Sequence, residues 1–383
     1  MTFSSYRVRV PGKLLIAGDY AVLEPNQQAV VVAINRYITV NIEHSSENRI
    51  SLPQLGLINV TWNFDDKHIQ FNIVDSRLHF IQNSILIANQ FLRENSIPLK
   101  PIQLTIKSDL DDPLTGRKYG LGSSAAVVVA VISSILTVNS IARFQPTLEQ
   151  VFKLSAIAHL LTQKNGSGVD IAASTFGGWL AYSSFQPEWV LNELNRNGSI
   201  SELIMKSWPN LNITSLYPPA SLNLCVGWTG EPARTGPMIN KVEKIRNHKL
   251  YSNFLQESKK AVINLIRSFE TKDCKDAVAS LTINRNALKM LMKTANLSIE
   301  TPLLKKLSDL AETFGSGKSS GAGGGDCGIA FTENEDYAME LKLVWEKAGI
   351  IPLKLEVSKK GVSFTEYNCE MSLNEYLGLG ISS

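Results

Sequence analysis

The most constraining feature of the 383-residue sequence is a glycine-containing segment that leads directly into a long apolar run. The segment reads KYGLGSSAAVVVAV, residues 118–131, and the run continues to Val138. Consecutive valines favour a strand, whereas the serine pair, the alanines and the length favour a capped helix, so we predict a buried helix over Leu121–Leu136. At roughly 150 residues per domain, the chain has room for two or three domains or one large one, with a sizeable core.

The start of this predicted helix is a candidate anion site. Gly120 and Gly122 let the backbone approach a ligand, and the free N–H groups and positive dipole end of a helix N-terminus attract phosphate. The Ser123–Ser124 pair offers hydroxyl groups to phosphate or magnesium, and Lys118 adds positive charge. The alternative is a plain helix with a glycine turn and a serine N-cap. The segment alone does not decide between the two.

Two other nucleotide-binding fingerprints fit the sequence poorly. A dinucleotide fold needs an acid roughly 20 residues after its glycines, but no Asp or Glu lies between residues 120 and 148. A phosphate-binding P-loop needs a glycine five residues before Gly317, where Glu312 stands, and a strand rather than a helix before it. We therefore disfavour the first and reject the second.

The segment GSGKSSGAGGGDCGIAF, residues 315–331, is a second candidate site. Its composition is compatible with a flexible linker. However, it is short, contains Lys318 and Asp326, and runs directly into an apolar strand. We predict an ordered loop that approaches a ligand.

Two further segments carry charged residues near glycines. KNGSGVDIAAS, residues 164–174, can form a tight loop that presents Asp170, although an Asp in such a turn is commonly a helix cap. In PGKLLIAGDYAVLEP, residues 11–25, Lys13 follows a Pro-Gly turn in an apolar run, where a lysine can also extend to solvent. Neither segment predicts a function by itself.

Composition narrows the class of protein. Hydrophobic residues make up 44% and the net charge is +3, which indicates a packed globular chain and suggests no nucleic acid or membrane partner. The four cysteines lie too far apart for a dense disulfide framework, and the five histidines lack metal-ligand spacing. With no apolar N-terminal segment and no apolar run of roughly 20 residues, we expect a cytoplasmic enzyme or binding protein.

Periodicity predicts an α+β protein. A helix with one apolar face is expected over Asp75–Asn95, and a Pro- and Asn-rich stretch at Pro209–Pro219 is the candidate domain boundary. The predicted domains are therefore residues 1–218 and 219–383. The predicted strands are residues 6–10, 29–43, 101–107, 222–228, 328–331 and 350–357. The other predicted helices are residues 238–270, 275–296, 302–314 and one ending near Gly349.

Taken in order, the four segments resemble the signature segments of the GHMP kinases, the superfamily of galactokinase, homoserine kinase and mevalonate kinase. The combination of GLGSSAA with KSSGAGGGDCG is highly specific, and the motifs span Lys13 to Asp326. Within the superfamily, these segments and VGWTG at residues 226–230 are most similar to the bacterial phosphomevalonate kinases. The resemblance implies an N-terminal domain with a left-handed βαβ crossover, a ferredoxin-like C-terminal domain, and an active site between them.

The resemblance also implies an activity, namely transfer of the γ-phosphoryl group of ATP to the phosphate of 5-phosphomevalonate, with Mg²⁺. The alternative is mevalonate kinase, which phosphorylates an alcohol, or another small-molecule GHMP kinase. Lys13 and Asp170 would be the catalytic pair, and Ser124 would reach the metal. ATP contacts would come from Lys118, Gly120, Leu121, Gly122, Ser123, Ser124 and Ala125. Substrate contacts would come from Lys13, Tyr20, Lys118, Ser167, Ser319, Ser320 and Gly321.

Two positions depart from the superfamily pattern. Several members have a magnesium-binding glutamate eleven residues before the catalytic aspartate, and this chain has His159 there. Asp19 stands where glutamate is more frequent. A protein carboxylate is therefore not assured as a metal ligand, and the ion would be held mainly by ATP oxygens, water and Ser124. The sequence leaves a monomer and a homodimer equally open.

Overall fold

The computed structural model describes residues 5–65, 68–140, 145–164, 166–233 and 235–367. Within these ranges the strands are β1 (Ser5–Ala17), β2 (Gln28–His44), β3 (Arg49–Leu52), β4 (Leu57–Phe64), β5 (Ile69–Phe71), β6 (Ile102–Ser108), β7 (Trp179–Ser183), β8 (Asn212–Leu216), β9 (Asn223–Trp228), β10 (Gly315–Ser319), β11 (Cys327–Thr332), β12 (Ile351–Pro352) and β13 (Ser363–Tyr367). The α-helices are α1 (His79–Glu94), α2 (Ser123–Val138), α3 (Leu148–Gln163), α4 (Val169–Phe176), α5 (Pro187–Asn197), α6 (Ile200–Met205), α7 (Thr235–Glu243), α8 (Lys249–Thr271), α9 (Cys274–Ala295), α10 (Pro302–Ala311) and α11 (Glu335–Lys347).

A long antiparallel hairpin organises the larger, nine-stranded sheet. β1 and β2 pair from Tyr6 opposite Ile42 to Ala17 opposite Val30. β2 then pairs with β7 through its first part and with β6 through its second. The main strand order is β13-β1-β2-β6-β3-β4-β5, with β8 attached to β7. Eight of the 17 residues of β2 are β-branched, a composition that favours a strand with buried faces.

Helix α2 is the central helix of this half of the molecule. It contacts β1 and β2 as well as α1, α3 and α4, and most of its residues are buried. The valines at 127–129 therefore lie in a helix, as predicted. Because core contacts surround the helix, burial outweighs the modest intrinsic preference of valine for strands.

The smaller sheet is antiparallel, with strand order β10-β11-β9-β12. Helices α9, α10 and α11 contact it, and Trp345 and Leu307 are fully buried among them. Strand β13 does not join this sheet but pairs with β1, so the last described strand returns to the first sheet. The predicted division at residue 218 stays a prediction.

The structure corrects several predicted elements. The helix expected over residues 238–270 is two helices, α7 and α8, separated by residues 244–248. The strand expected over 350–357 shrinks to β12, with a separate bridge from Val357 to Ile34. The glycine-rich part of segment 315–331 is expected to be a loop before the predicted strand 328–331. The strand is present as β11, but residues 315–319 form a further strand, β10, so the loop lies only between the two. Gly317 in β10 lies so close to α10 that a Cβ there would be 2.6 Å from Ala311 Cβ, so packing places glycine in this strand.

Two expectations from composition can be compared with the described residues. Cys225, Cys274 and Cys327 are free thiols, and Cys369 lies outside the described ranges. No helix in those ranges is both long and apolar enough to cross a membrane.

Candidate functional site

The four segments that the sequence singled out line one cavity of about 310 Å³. β1 and the turn after it form one wall, and the start of α2 forms another. The end of α3, the start of α4 and the loop between β10 and β11 also line it. Residues separated by 300 positions in the chain therefore surround a common space.

The N-terminus of α2 opens onto this cavity. Gly122 is its N-cap residue, with φ 80°, so no side chain caps the first N–H groups. Ser123, Ser124 and Ala125 follow and also line the cavity. Unpaired N–H groups and the helix dipole together favour an anion at this place.

Lys13 is held against this helix start by its own backbone. Its N–H donates to the carbonyl oxygen of Leu121 at 2.9 Å, next to a register shift in β1 at Pro11 and Gly12. A Cβ on Gly122 would lie 2.9 Å from Lys13 Cε. Glycine at position 122 therefore leaves room for the lysine side chain as well as for the turn.

Asp170 faces Lys13 from the first turn of α4. The distance from Lys13 Nζ to Asp170 Oδ2 is 3.5 Å, and the side chains are 10% and 36% exposed. Gly168, with φ 77°, precedes the helix, and a carboxylate in the first turn is stabilised by the helix dipole. The cavity thus contains a lysine–aspartate pair that stays in contact with solvent beside an anion-binding helix start.

The loop before α4 is fixed by hydrogen bonds to its carbonyl groups. Ser167 is buried, and its backbone oxygen accepts from the Tyr182 hydroxyl at 2.5 Å and from Ser184 Oγ at 2.9 Å. Burial raises the pKa of the Tyr182 phenol, which therefore remains a neutral donor. These bonds set the position from which Asp170 enters the cavity.

His159 lies in the cavity wall on α3, where several superfamily members have a glutamate. Burial lowers the pKa of its imidazole, and the negative charge of Asp170 partly opposes this effect. The ring lies 5.0 Å from the ring of Phe80. His159 is therefore neutral at pH 7 and brings no negative charge to the cavity.

The loop between β10 and β11 is hydrogen-bonded to β1 and to the turn after it. Ser320 Oγ donates to the Leu15 carbonyl at 3.0 Å, and the Gly321 N–H donates to Asp19 Oδ1 at 2.8 Å. The Tyr20 hydroxyl donates to the Ala322 carbonyl at 2.6 Å. Burial, and secondarily the charge of Asp19, raises the pKa of the Tyr20 phenol.

Asp326 lines the cavity, although it is not among the predicted site residues. A Cβ on Gly120 would lie 2.5 Å from Asp326 Oδ2, so the carboxylate sits directly against the glycine turn. Burial raises its pKa, while the Ala233 N–H and the charges of Lys13 and Lys118 lower it. The sequence signal that could have identified Asp326 is that it is the one acidic residue in segment 315–331.

The predicted site residues fall into two groups. The larger group lines the cavity: Lys13, Tyr20, Gly120, Gly122, Ser123, Ser124, Ala125, Ser167, Asp170, Ser320 and Gly321. Of the others, Lys118 is exposed, whereas Leu121 and Ser319 are buried behind the wall, and none of the three lines the cavity. Sequence reasoning assigned no role to several lining residues: Leu15, Val22, Leu23, Gln163, Gly168, Val169, Ile171 and Ala233.

The polar groups of the cavity fit a magnesium ion that arrives with a nucleotide better than a resident metal. Within the described ranges, no three His, Cys, Asp or Glu side chains are grouped as a metal site. Ser124, Asp170 and Asp326 nevertheless supply oxygen atoms to the cavity. Magnesium commonly takes one or two protein oxygens and fills its remaining positions with phosphate and water.

Two family models match this chain: "GHMP kinases N terminal domain" over residues 81–178 and "GHMP kinases C terminal" over residues 272–351. A phosphomevalonate kinase of Streptomyces sp. (strain CL190) is 32% identical, over 92% of this chain and 97% of its own length. A mevalonate kinase of Thermococcus sibiricus is 24% identical, over 92% of this chain and 96% of its own length.

Solved structures agree with these matches. The Lin0012 protein of Listeria innocua superposes with a TM-score of 0.87 and 38% identity, covering 94% of this chain and 99% of that one. Phosphomevalonate kinase of Streptococcus pneumoniae, in complex with phosphomevalonate and AMPPNP, superposes with a TM-score of 0.79 and 29% identity, covering 92% and 99%. The two family models and the Streptomyces relative, which matches over nearly its whole length, agree with the mixed sheet seen here. This chain therefore belongs to the GHMP kinases, a family of ATP-dependent phosphotransferases.

Proposed function

We propose that this enzyme is a phosphomevalonate kinase, which transfers the γ-phosphoryl group of ATP to the phosphate of 5-phosphomevalonate and releases 5-diphosphomevalonate and ADP. That reaction belongs to the mevalonate pathway of isoprenoid biosynthesis. The observation that carries the proposal is full-length similarity to the Streptomyces phosphomevalonate kinase, which exceeds the similarity to the Thermococcus mevalonate kinase.

The N-terminus of α2 would bind the ATP phosphates. Gly120, Gly122 and the residues from Ser123 to Ala125 line the cavity there, so backbone N–H groups and the dipole act on the same anion. Leu121 contributes indirectly, because its carbonyl oxygen anchors Lys13. Magnesium bound to ATP would neutralise phosphate charge, with Ser124 as the protein ligand.

Lys13 would stabilise the transferring phosphoryl group. Phosphoryl transfer passes through a loose transition state with negative charge on the equatorial oxygens, so positioned positive charge is the main catalytic requirement. Asp170, 3.5 Å from Lys13 Nζ, would orient the ammonium group. This role needs no proton transfer by Asp170.

The chemistry of the acceptor decides whether a base is needed. A phosphate monoester with a second pKa of about 6 is roughly 90% dianion at pH 7 and can attack without losing a proton. An alcohol acceptor must lose a proton of far higher pKa, and Asp170 would then act as the base. The proposed acceptor therefore assigns Asp170 an orienting role, and the alternative would make it a general base.

The remaining proposed substrate contacts lie around the cavity and at its edge. Ser167, Tyr20, Ser320 and Gly321 line it, whereas Ser319 is buried directly before the loop. Lys118 is exposed, and its charge lowers the pKa of the cavity residue Asp326, which supports a role in attracting the acceptor phosphate. In Lys118→Met we expect KM for phosphomevalonate to rise more than KM for ATP.

The deciding experiment is ADP production from ATP and magnesium with mevalonate, 5-phosphomevalonate, galactose and homoserine offered separately. Activity confined to 5-phosphomevalonate supports the proposal. Activity confined to mevalonate replaces it with mevalonate kinase, the second candidate, which the Thermococcus relative favours. Silence with all four acceptors would contradict both. Light scattering on the same preparation decides between a monomer and a homodimer, and fractionation of cells tests the proposed cytoplasmic location.

A further inference from the structure

A second lysine–aspartate pair lies behind the cavity wall. Lys318 Nζ is 2.8 Å from Asp19 Oδ2, and both side chains are 0% exposed. Asp19 follows β1, and Lys318 is in β10, so the pair joins the large sheet to the small one. Neither side chain lines the cavity.

The surroundings of this pair connect it to the glycine-rich loop, residues 320–326. Lys318 Nζ also donates to the Ser319 carbonyl at 2.5 Å, and the second oxygen of Asp19 accepts from the Gly321 N–H at 2.8 Å. The carboxylate therefore holds the strand before the loop with one oxygen and the loop itself with the other. Ser320 and Gly321, the first loop residues, line the cavity.

Backbone geometry next to Asp19 is consistent with a position that function constrains. Tyr20 has φ 61° and ψ −45°, a conformation that a tyrosine rarely adopts. Its hydroxyl donates to the Ala322 carbonyl, the residue after Gly321. Strained non-glycine residues persist where surrounding contacts over-determine them, often at ligand-binding loops.

A buried ion pair is an inefficient means of stabilising a fold. Removing two charges from water costs about as much as their attraction returns, and apolar replacements of similar volume are often neutral or stabilising. Such a pair does, however, fix the relative position of the two segments that carry it. Here those segments are the turn after β1 and the entrance to the glycine-rich loop.

We propose that Asp19 and Lys318 are positioning residues, whose buried pair sets the glycine-rich loop at the distance from Lys13 and Asp170 that phosphoryl transfer requires. The inference rests on the proposed function for its choice of acceptor. It adds that the proposed function requires an ion pair that does not itself line the cavity. Loss of either charge frees the loop, and the acceptor then binds in geometries that do not react.

The test compares Lys318→Met and Asp19→Asn with Lys153→Met. Lys153 is the matched control, since it is also buried, its Nζ donates to the Ile204 and Lys206 carbonyls at 2.9 and 2.8 Å, and it does not line the cavity. All three variants lose a buried charge and are expected to melt at lower temperature. We expect kcat/KM for the acceptor to fall about tenfold or more in the first two and to stay within about twofold in the control.

Amide hydrogen exchange supplies a readout that is independent of the acceptor. Peptides covering residues 319–325 should exchange faster in Lys318→Met and Asp19→Asn, and at the wild-type rate in Lys153→Met. If exchange is faster but the wild type is inactive with 5-phosphomevalonate, the choice of acceptor is wrong and the loop assignment stands. If exchange in these peptides is unchanged in all variants, the positioning role is overturned.

A double variant guards against a variant that simply unfolds. Asp19→Asn with Lys318→Met removes both charges and leaves no uncompensated buried ion, so more of the stability is retained than in Lys318→Met alone. We expect its kcat/KM to remain about tenfold low, because the loop has lost its charged anchor. Recovery of wild-type kcat/KM in the double variant would show that the pair acts on folding only.

Discussion

One lysine–aspartate pair lies in the cavity and a second lies behind its wall, and the two differ in separation and in burial. Lys13–Asp170 is separated by 3.5 Å and keeps one side chain 36% exposed, whereas Lys318–Asp19 is separated by 2.8 Å and is fully buried. A substrate can reach the first pair by displacing water from it, whereas the second pair is closed to solvent and to substrate. In the roles that we propose, the same two residue types serve chemistry in one place and geometry in the other, and burial is what separates the two roles.

The largest effect is expected when the exposed pair is broken at its cation. Lys13→Met removes the positive charge beside the helix start, and we expect kcat to fall by about 10²–10³-fold, since electrostatic stabilisation of the transition state is lost. Steady-state ADP production measures this. An activity within about threefold of the wild type would exclude Lys13 from phosphoryl transfer.

Asp170→Asn tests the other member of that pair. We expect kcat to fall by about 10²-fold, because Lys13 loses its orientation, and the pH profile of the residual activity to match that of the wild type. A residual rate that climbs with pH, as though a proton must first leave the acceptor, would instead identify Asp170 as a base. Solvent viscosity controls would separate chemistry from product release.

The loss of folding stability should be larger for the buried pair than for the exposed pair, the reverse of the order expected for kcat. Lys318→Met leaves Asp19 charged and buried, and we expect the free energy of unfolding to fall by about 3–5 kcal/mol. Lys13→Met leaves Asp170 partly solvated, so its loss should be about 1 kcal/mol. Urea denaturation at pH 7 gives both values. Equal losses would remove the distinction that burial makes between the pairs.

The smallest expected effect concerns pH and His159. Its pKa in the folded protein lies below the usual 6.5, so the unfolded chain binds the proton more readily. Stability from this group is therefore complete above pH 6.5 and is lost as pH falls below it, by at most about 1.4 kcal/mol per pH unit. Urea denaturation of His159→Gln should show a shallower decline between pH 6.5 and 5.

The exposed His79 supplies the control for that experiment. His79→Gln should retain the wild-type decline in stability with falling pH. An identical decline in His159→Gln would indicate that other groups cause the acid sensitivity.

The sequence correctly predicted the elements whose apolar residues recur at a regular spacing on the buried face. The one-sided apolar spacing of Asp75–Asn95 and the length of the run after Gly122 predicted α1 and α2, and both are present. The glycine turns also indicated candidate binding segments, although the turn before α2 was equally compatible with a plain capped helix. In these segments, about 20 consecutive residues contain the information that determines the secondary structure.

Long-range packing decided what the sequence did not reveal. Strand β10 reads as glycine and serine, which disfavour strands, but β11 pairs with it and α10 packs so closely that only glycine fits at 317. The pairing of Asp19 with Lys318 joins residues 299 apart in the sequence and depends on how the two sheets meet. No local period encodes such a contact.

Strand β13 has a consequence for the order in which the protein matures on the ribosome. Ser5 lies opposite Tyr367 in the pairing of β1 with β13, and β1 is the strand that carries Lys13. Until residues 363–367 emerge, β1 is an unprotected sheet edge during synthesis. Lys13, the proposed catalytic lysine, is among the first residues translated, yet its strand is completed only by residues 363–367, near the end of the described chain.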